Sequence, residues 1–142
     1  MAKTKIVVAT KKNLLELQKL PKNTIVHAYK GIGKDGSAPI QEKPMGYKVG
    51  GTYKQKRCNR NPKKDCAVGL HVATREWVLD WFDYPEDREE NFLVLVEFCV
   101  RDIGCVPYRM EWIDASTDTK KAYGKFRVTK FKIVKKLRWP KS

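Results

Sequence analysis

Cys66 and His71 stand five residues apart in the stretch CAVGLHVAT, in a chain with only two histidines and four cysteines. Such a pair can bind a metal or form a thiol nucleophile with its base. For zinc, Cys58, Cys66 and His71 would supply three ligands, with Cys99 or Cys105 as a fourth. Structural zinc sites commonly pair ligands two to four residues apart on a knuckle, and no Cys-x-x-Cys is present. The spacing argues against zinc, and free cysteine packs well as a small core residue. As a nucleophile, Cys66 would need His71 beside it. Residues five apart on a strand face opposite ways, and Gly69 places a turn between the two.

Glu97 is the sharper oddity, because it interrupts the apolar run FLVLVEFCV. It shares strand parity with Leu93, Leu95 and Cys99, so it points into a core or a cleft. A carboxylate held in a cleft has a raised pKa and can do acid–base work. With His27 and His71 on two other predicted strands, Glu97 defines a candidate catalytic pocket. The plainer alternative pairs Glu97 with Arg101 or Arg109 at a sheet edge. GIGKDG opens no helix, so it is no phosphate-cradling loop, and no cofactor is indicated.

The cations carry a broader signal. Residues 1–64 hold 16 basic and 3 acidic side chains, residues 65–119 hold 4 and 13, and residues 120–142 hold 10 and none. A basic N-terminal segment and a basic C-terminal segment thus flank an acidic centre, with a net charge of +14. If the two ends fold onto one side, they make a basic face suited to a phosphate-rich partner. The candidate nucleic-acid contacts are Lys54, Lys56, Arg57, Arg60, Lys63 and Lys64 in the first segment. In the second they are Lys120, Lys121, Lys125, Arg127, Lys130, Lys132, Lys135, Lys136 and Arg138. Cations neutralise phosphates and release counterions, while exposed rings stack on unpaired bases. Phe126 and Phe131 belong to a strand core, which leaves Tyr123 and Trp139 as stacking candidates. The alternative for all these charges is a solvated, solubilising surface.

The elements that must position these residues read as an α+β fold. The expectation is one compact domain over residues 1–142, a mostly antiparallel twisted sheet with two short helices. KIVVAT is a strand. Thr10 then caps a helix whose face is Leu14, Leu17 and Leu20, stopped by Pro21. TIVHAYKGI places Ile25, His27 and Tyr29 on one face and Val26, Ala28 and Lys30 on the other. Residues 33–44 form a turn-rich loop, and YKVGGTYKQKR is a strand with a turn or bulge at Gly50-Gly51. GLHVAT is a strand, and Thr74 caps the helix REWVLDWF with Trp77, Val78 and Trp81 inward. YPEDREEN is a charged loop. FLVLVEFCV is a central strand covered on both sides. CVPYRMEWI is a strand with Pro107 near its start, and DASTDTKKAYG connects it to KFRVTKFKIVKKL. There Phe126 and Val128 share one parity and Phe131 and Ile133 the other, so a bulge or the end of a pairing is expected at Thr129-Lys130. No apolar run is long enough to span a membrane, and the N-terminus has too few apolar residues for a signal peptide. A cytoplasmic protein with reduced cysteines is the expectation.

CAVGLHVAT, an aromatic helix, FLVLVEFCVRDIGCVPY and KFRVTKFKIV occur in an order that resembles the domain of phage rapid-lysis B-like proteins and related uncharacterised phage and viral domains. AYKGI, SAPI and YKVGGTY are more loosely similar to its upstream strands, so the resemblance covers most of residues 25–134. The matching positions are Cys66, Gly69, Leu70, His71, Asp102, Val106 and Pro107. The resemblance implies a phage accessory protein acting inside the infected cell, with Cys66, Gly69, His71, Asp102 and Pro107 in structural roles and no enzymatic activity carried over. Heavy basic charge and the lack of a long additional domain depart from that pattern, which favours a nucleic-acid or ribosome partner over membrane-associated lysis.

The leading expectation is therefore a non-catalytic phage-type protein that binds RNA or DNA through its basic segments. One alternative is a small enzyme using His27, His71 and Glu97, since HAYKG and GLHV loosely resemble ADP-ribosyltransferase motifs. Another is a virion or host-protein interaction module.

Overall fold

Strand alternation in IVHAYKGIG organises the molecule. The computed structural model describes residues 5–33, 47–63, 68–114 and 117–140. In chain order its strands are β1 (Ile6–Val8), β2 (Ile25–Gly33), β3 (Thr52–Lys54), β4 (Leu70–Ala73), β5 (Asn91–Cys99), β6 (Ile103–Cys105), β7 (Tyr108–Asp114), β8 (Thr117–Ala122), β9 (Lys125–Val128) and β10 (Lys130–Leu137). Two short α-helices, α1 (Arg75–Trp81) and α2 (Pro85–Glu90), precede β5, and 3-10 helices cover Leu14–Lys19 and Val100–Asp102.

The main sheet runs β3-β10-β5-β2-β4-β9-β6, with β1 added to β2. All its pairings are antiparallel except β1 on β2. β2 and β5 form its spine, in register from Ile25↔Cys99 to Gly33↔Asn91. Val26, Ala28, Val94 and Val96 point to one face and join Leu14, Leu17, Phe131 and Ile133 in the larger core. Leu93 and Ala73 point to the other face, where Val78 and Phe82 cover them with help from Tyr29, Leu137 and Trp139. β5 is thus covered along one face and, on the other, at Leu93, while Leu95, Glu97 and Cys99 on that second face are only half-buried. The fold is α+β with a mostly antiparallel sheet, and no helix among the described residues is long and apolar enough to cross a membrane.

Local chemistry explains the boundaries. Thr74 Oγ1 accepts from the Trp77 amide at 3.2 Å and starts α1. Gly50 and Gly51 make a turn, with Gly50 at φ +86°. Thr129 is where the strand changes partners. β9 pairs with β4 and β6, and β10 with β5 and β3. The Thr129 amide donates to Asp102 O at 2.8 Å, and its carbonyl accepts from Gln55 at 2.8 Å. The parity switch in KFRVTKFKIV marks this change.

Other expectations are corrected. Thr10 bonds reciprocally with Asn13 rather than capping an α-helix, and only a 3-10 helix follows. YPEDREEN is helical from Pro85, which suits a first helical turn, with Glu86 and Asp87 complementing the dipole. Trp81 is 54% exposed, stacked on Trp77, so the inward side of α1 is Val78 with the cap residue Phe82. Pro107 divides its predicted strand into β6 and β7, which lie in different sheets. DASTDTKKAYG contributes a strand, β8, that pairs with β7. Residues 34–44 of the expected loop lie outside the described residues.

Candidate polyanion interface

His27 and Glu97 face each other directly across β2 and β5, with Nε2 and Oε2 3.0 Å apart. Glu97 therefore meets a histidine rather than Arg101, which bonds Asn23, or Arg109, which lies beside Glu111. His71 is not part of this pair. It sits on β4 opposite Arg127, and no hydrogen bond or ion pair among the described residues joins it to His27 or Glu97. Burial, then the charges of Lys125, Lys30 and Arg127, push its pKa down to about 4. It is neutral at physiological pH, with Nε2 buried and unpartnered. The three-residue pocket expected from sequence is thus replaced by a two-residue contact.

Among the described residues the thiols do not converge with His71 as ligands. Cys58 Sγ packs against Gly69 and Gly104, where a Cβ at either position would press on it. Cys105 is buried, and burial raises its thiol pKa. Among the described residues no three metal-ligating side chains cluster; Cys66 lies outside them. Gly69 makes the turn before β4 at φ +145°. Asp102 Oδ2 accepts from the Cys99 amide at 3.0 Å, and Pro107 O accepts from Tyr123 at 3.3 Å.

The cations read as phosphate contacts separate into distinct groups. Arg127 is fully buried, donating from Nε to Asn59 O at 2.7 Å and from Nη2 to Asn61 O at 2.9 Å. It holds the loop carrying Arg60 and Lys63 against the sheet instead of reaching solvent. Lys125 is 5% exposed, with its Nζ 5.8 Å from the centre of the Trp77 ring. Both are removed from the candidate phosphate contacts, because strand β9 lies beneath α1 and the 59–61 loop. Lys64 lies outside the described residues. Lys120 and Lys121 are exposed on β8, but Lys121 pairs with Glu111 at 3.3 Å and Lys120 lies over the Tyr108 ring at 4.8 Å. β7 and β8 form a sheet of their own, so Lys120 and Lys121 are not on the ladder that holds β10.

A different group does align. Lys54 on β3 stands directly opposite Lys130 on β10. Lys132 follows on the same face opposite Glu97, and Lys135, beyond a bulge, stands opposite Leu95. All four are exposed, and none is ion-paired among the described residues. Like charges directly opposed across strands are destabilising, so this row lowers sheet stability unless an anion covers it. Lys56, Arg57, Arg60 and Lys63 are exposed in the segment that leaves β3.

The stacking candidates have structural duties. Trp139 Nε1 donates to Asn91 O at 3.1 Å, while its ring lies 5.5 Å from Phe82 and 5.4 Å from the Arg88 guanidinium. Tyr123 lies beside Arg109, 5.7 Å from ring centre to guanidinium carbon. Sequence reasoning missed Arg88 and Phe92. They line a cleft of about 450 Å³ with Lys136, Arg138 and Trp139 at the end of β10. Nothing in YPEDREEN marks Arg88 as special, since one of its partners is a backbone carbonyl far along the chain, that of Pro140.

Comparison with protein-family models, with curated proteins and with solved structures finds no match to this chain.

Proposed function

We propose that the protein is a non-catalytic binder of nucleic acid, docking the phosphate backbone on the lysine row of β3 and β10. The unpaired opposition of Lys54 and Lys130, continued by Lys132 and Lys135, carries this reading. A row of ammonium groups with no ion pair among the described residues offers charge without base-reading geometry. Binding is accordingly expected to depend on the backbone more than on sequence. The similarity of CAVGLHVAT and its following motifs to rapid-lysis B-like domains supports a setting inside a phage-infected cell. There RNA or DNA is the polyanion at hand.

The test is a salt titration of binding to a single-stranded oligonucleotide. Replacing Lys130 and Lys132 with Glu should weaken binding strongly and flatten the log–log salt slope by about 0.7 for each phosphate no longer neutralised. Replacing Lys121, which Glu111 already neutralises, should change little. Binding that ignores salt, or that responds equally to both sets of variants, would rule the reading out.

A further inference from the structure

We propose that the cleft between α2 and the end of β10 binds a phosphate monoester at the end of a nucleic-acid strand. The proposal rests on the nucleic-acid reading above and specifies which part of the strand the molecule recognises. The cleft is open to solvent, has a volume of about 450 Å³ and is lined by Arg88, Lys136 and Arg138 with a single carboxylate, Glu89. None of the three cations is ion-paired among the described residues. Its formal charge is therefore +2. A terminal phosphate carries about −1.5 to −2 near neutral pH, whereas an internal phosphodiester carries one negative charge. The charge balance matches the strand end.

Two of the cations are held in place before any ligand arrives. Arg88 Nε donates to Phe82 O at 2.6 Å and Nη1 to Pro140 O at 3.3 Å, which fixes the guanidinium over Trp139 and leaves Nη2 for an anion. Lys136 Nζ lies 3.8 Å from the centre of the Phe92 ring. Prepositioned donors lose little side-chain entropy on binding. The same contacts place cations over the two aromatic faces, so the cleft is built for phosphate rather than for a stacked base. Its volume falls within the range of about 300–1,000 Å³ usual for small-ligand sites, enough for a terminal sugar-phosphate. Lys135 of the lysine row and Lys136 of the cleft are consecutive on β10 and so point to opposite faces, and a strand lying on the row reaches the cleft by turning round the end of β10.

Fluorescence anisotropy with one internally labelled oligonucleotide in three forms tests this: 5′-phosphorylated, 3′-phosphorylated and unphosphorylated. One terminal phosphate is expected to tighten binding about tenfold, the scale of a charge-assisted contact. The gain should vanish in Lys136→Ala/Arg138→Ala, two exposed positions at which thermal melting checks the fold, and return in part with Lys136→Arg. Equal affinity for all three forms overturns the proposal, as does a gain that survives the double substitution. In either case steep salt dependence with the unphosphorylated strand would leave the lysine-row reading standing. Absence of binding in every form overturns both.

Discussion

Lys30 Nζ donates to the carbonyl oxygen of His71 at 2.6 Å, bridging β2 and β4 where their ladder has narrowed to the single pair Tyr29↔Ala73. The ammonium is buried beside the rings of Tyr47 and Phe131, at 5.3 and 5.8 Å from their centres. A lysine side chain thus serves a strand carbonyl where the inter-strand pairing has thinned.

That burial has a pH signature. Burial, then the charge of Lys125, lowers the Lys30 pKa from 10.5 to about 8, while His71 falls from 6.5 to about 4. Both groups bind protons more readily unfolded than folded, so stability rises with pH across each window. Stability is expected to increase between pH 4 and 6.5 through His71, by about 1–3 kcal/mol after discounting for its partial exposure. A second rise is expected between pH 8 and 10 through Lys30. Tyr47, raised to about 12 by burial, reverses the trend above pH 10. Denaturant midpoints against pH measure this, and His71→Gln should flatten the acid limb.

Arg127 is the second buried cation with a structural duty. Replacing it with Met removes the donors to Asn59 O and Asn61 O and leaves both carbonyls to find water. A destabilisation of about 3–5 kcal/mol is expected from the loss of two charge-assisted hydrogen bonds. The 59–61 loop should also be cut faster by trypsin at Arg57, Arg60 or Lys63. Unchanged cleavage would mean that other groups hold the loop.

Lys130→Ala should separate stability from binding. Removing one of two opposed lysines relieves repulsion and is expected to raise stability by about 0.2–0.5 kcal/mol. Affinity for an oligonucleotide should fall several-fold in the same protein. A variant that loses both, or neither, would contradict the role given to this row.

Gly69→Ala adds a Cβ about 3.0 Å from Cys58 Sγ and 3.2 Å from the Arg127 side chain, at a φ of +145°. A destabilisation of about 1–3 kcal/mol is expected in thermal melting, since neither neighbour can withdraw from this packed corner. Gly50→Ala, at φ +86° with nothing within 4 Å, should cost about 1 kcal/mol from backbone strain alone.

Much of the scaffold was legible because it depends on short-range repeats. The alternation of Val26, Ala28 and Lys30 against His27 and Tyr29 follows from the two-residue period of any strand. Thr74 before an amphipathic run marks a helix start whatever lies around it. Lys30 shows the limit of such reading: its parity with Val26 and Ala28 was legible, but its burial and its bond to His71 O depend on how β4 meets β2. Pro107 was legible as lying near the start of a strand, yet not as the point where the chain leaves one sheet for another.

Strand parities, the cap at Thr74 and the partner change at Thr129 are each written within a few neighbouring residues, so the chain alone dictates them. Which cations reach solvent is settled by the assembled fold instead. Lys125 and Arg127 alternate with apolar residues just as Lys130 and Lys132 do. The first two lie under α1 and the 59–61 loop, however, while the last two lie on an exposed strand face. Likewise Arg88 joins Lys136 and Arg138 only because Pro140 O and Phe82 O draw it over Trp139. Covalent geometry sets the side on which a residue points; packing from distant segments sets whether that side meets water, another cation or an anion.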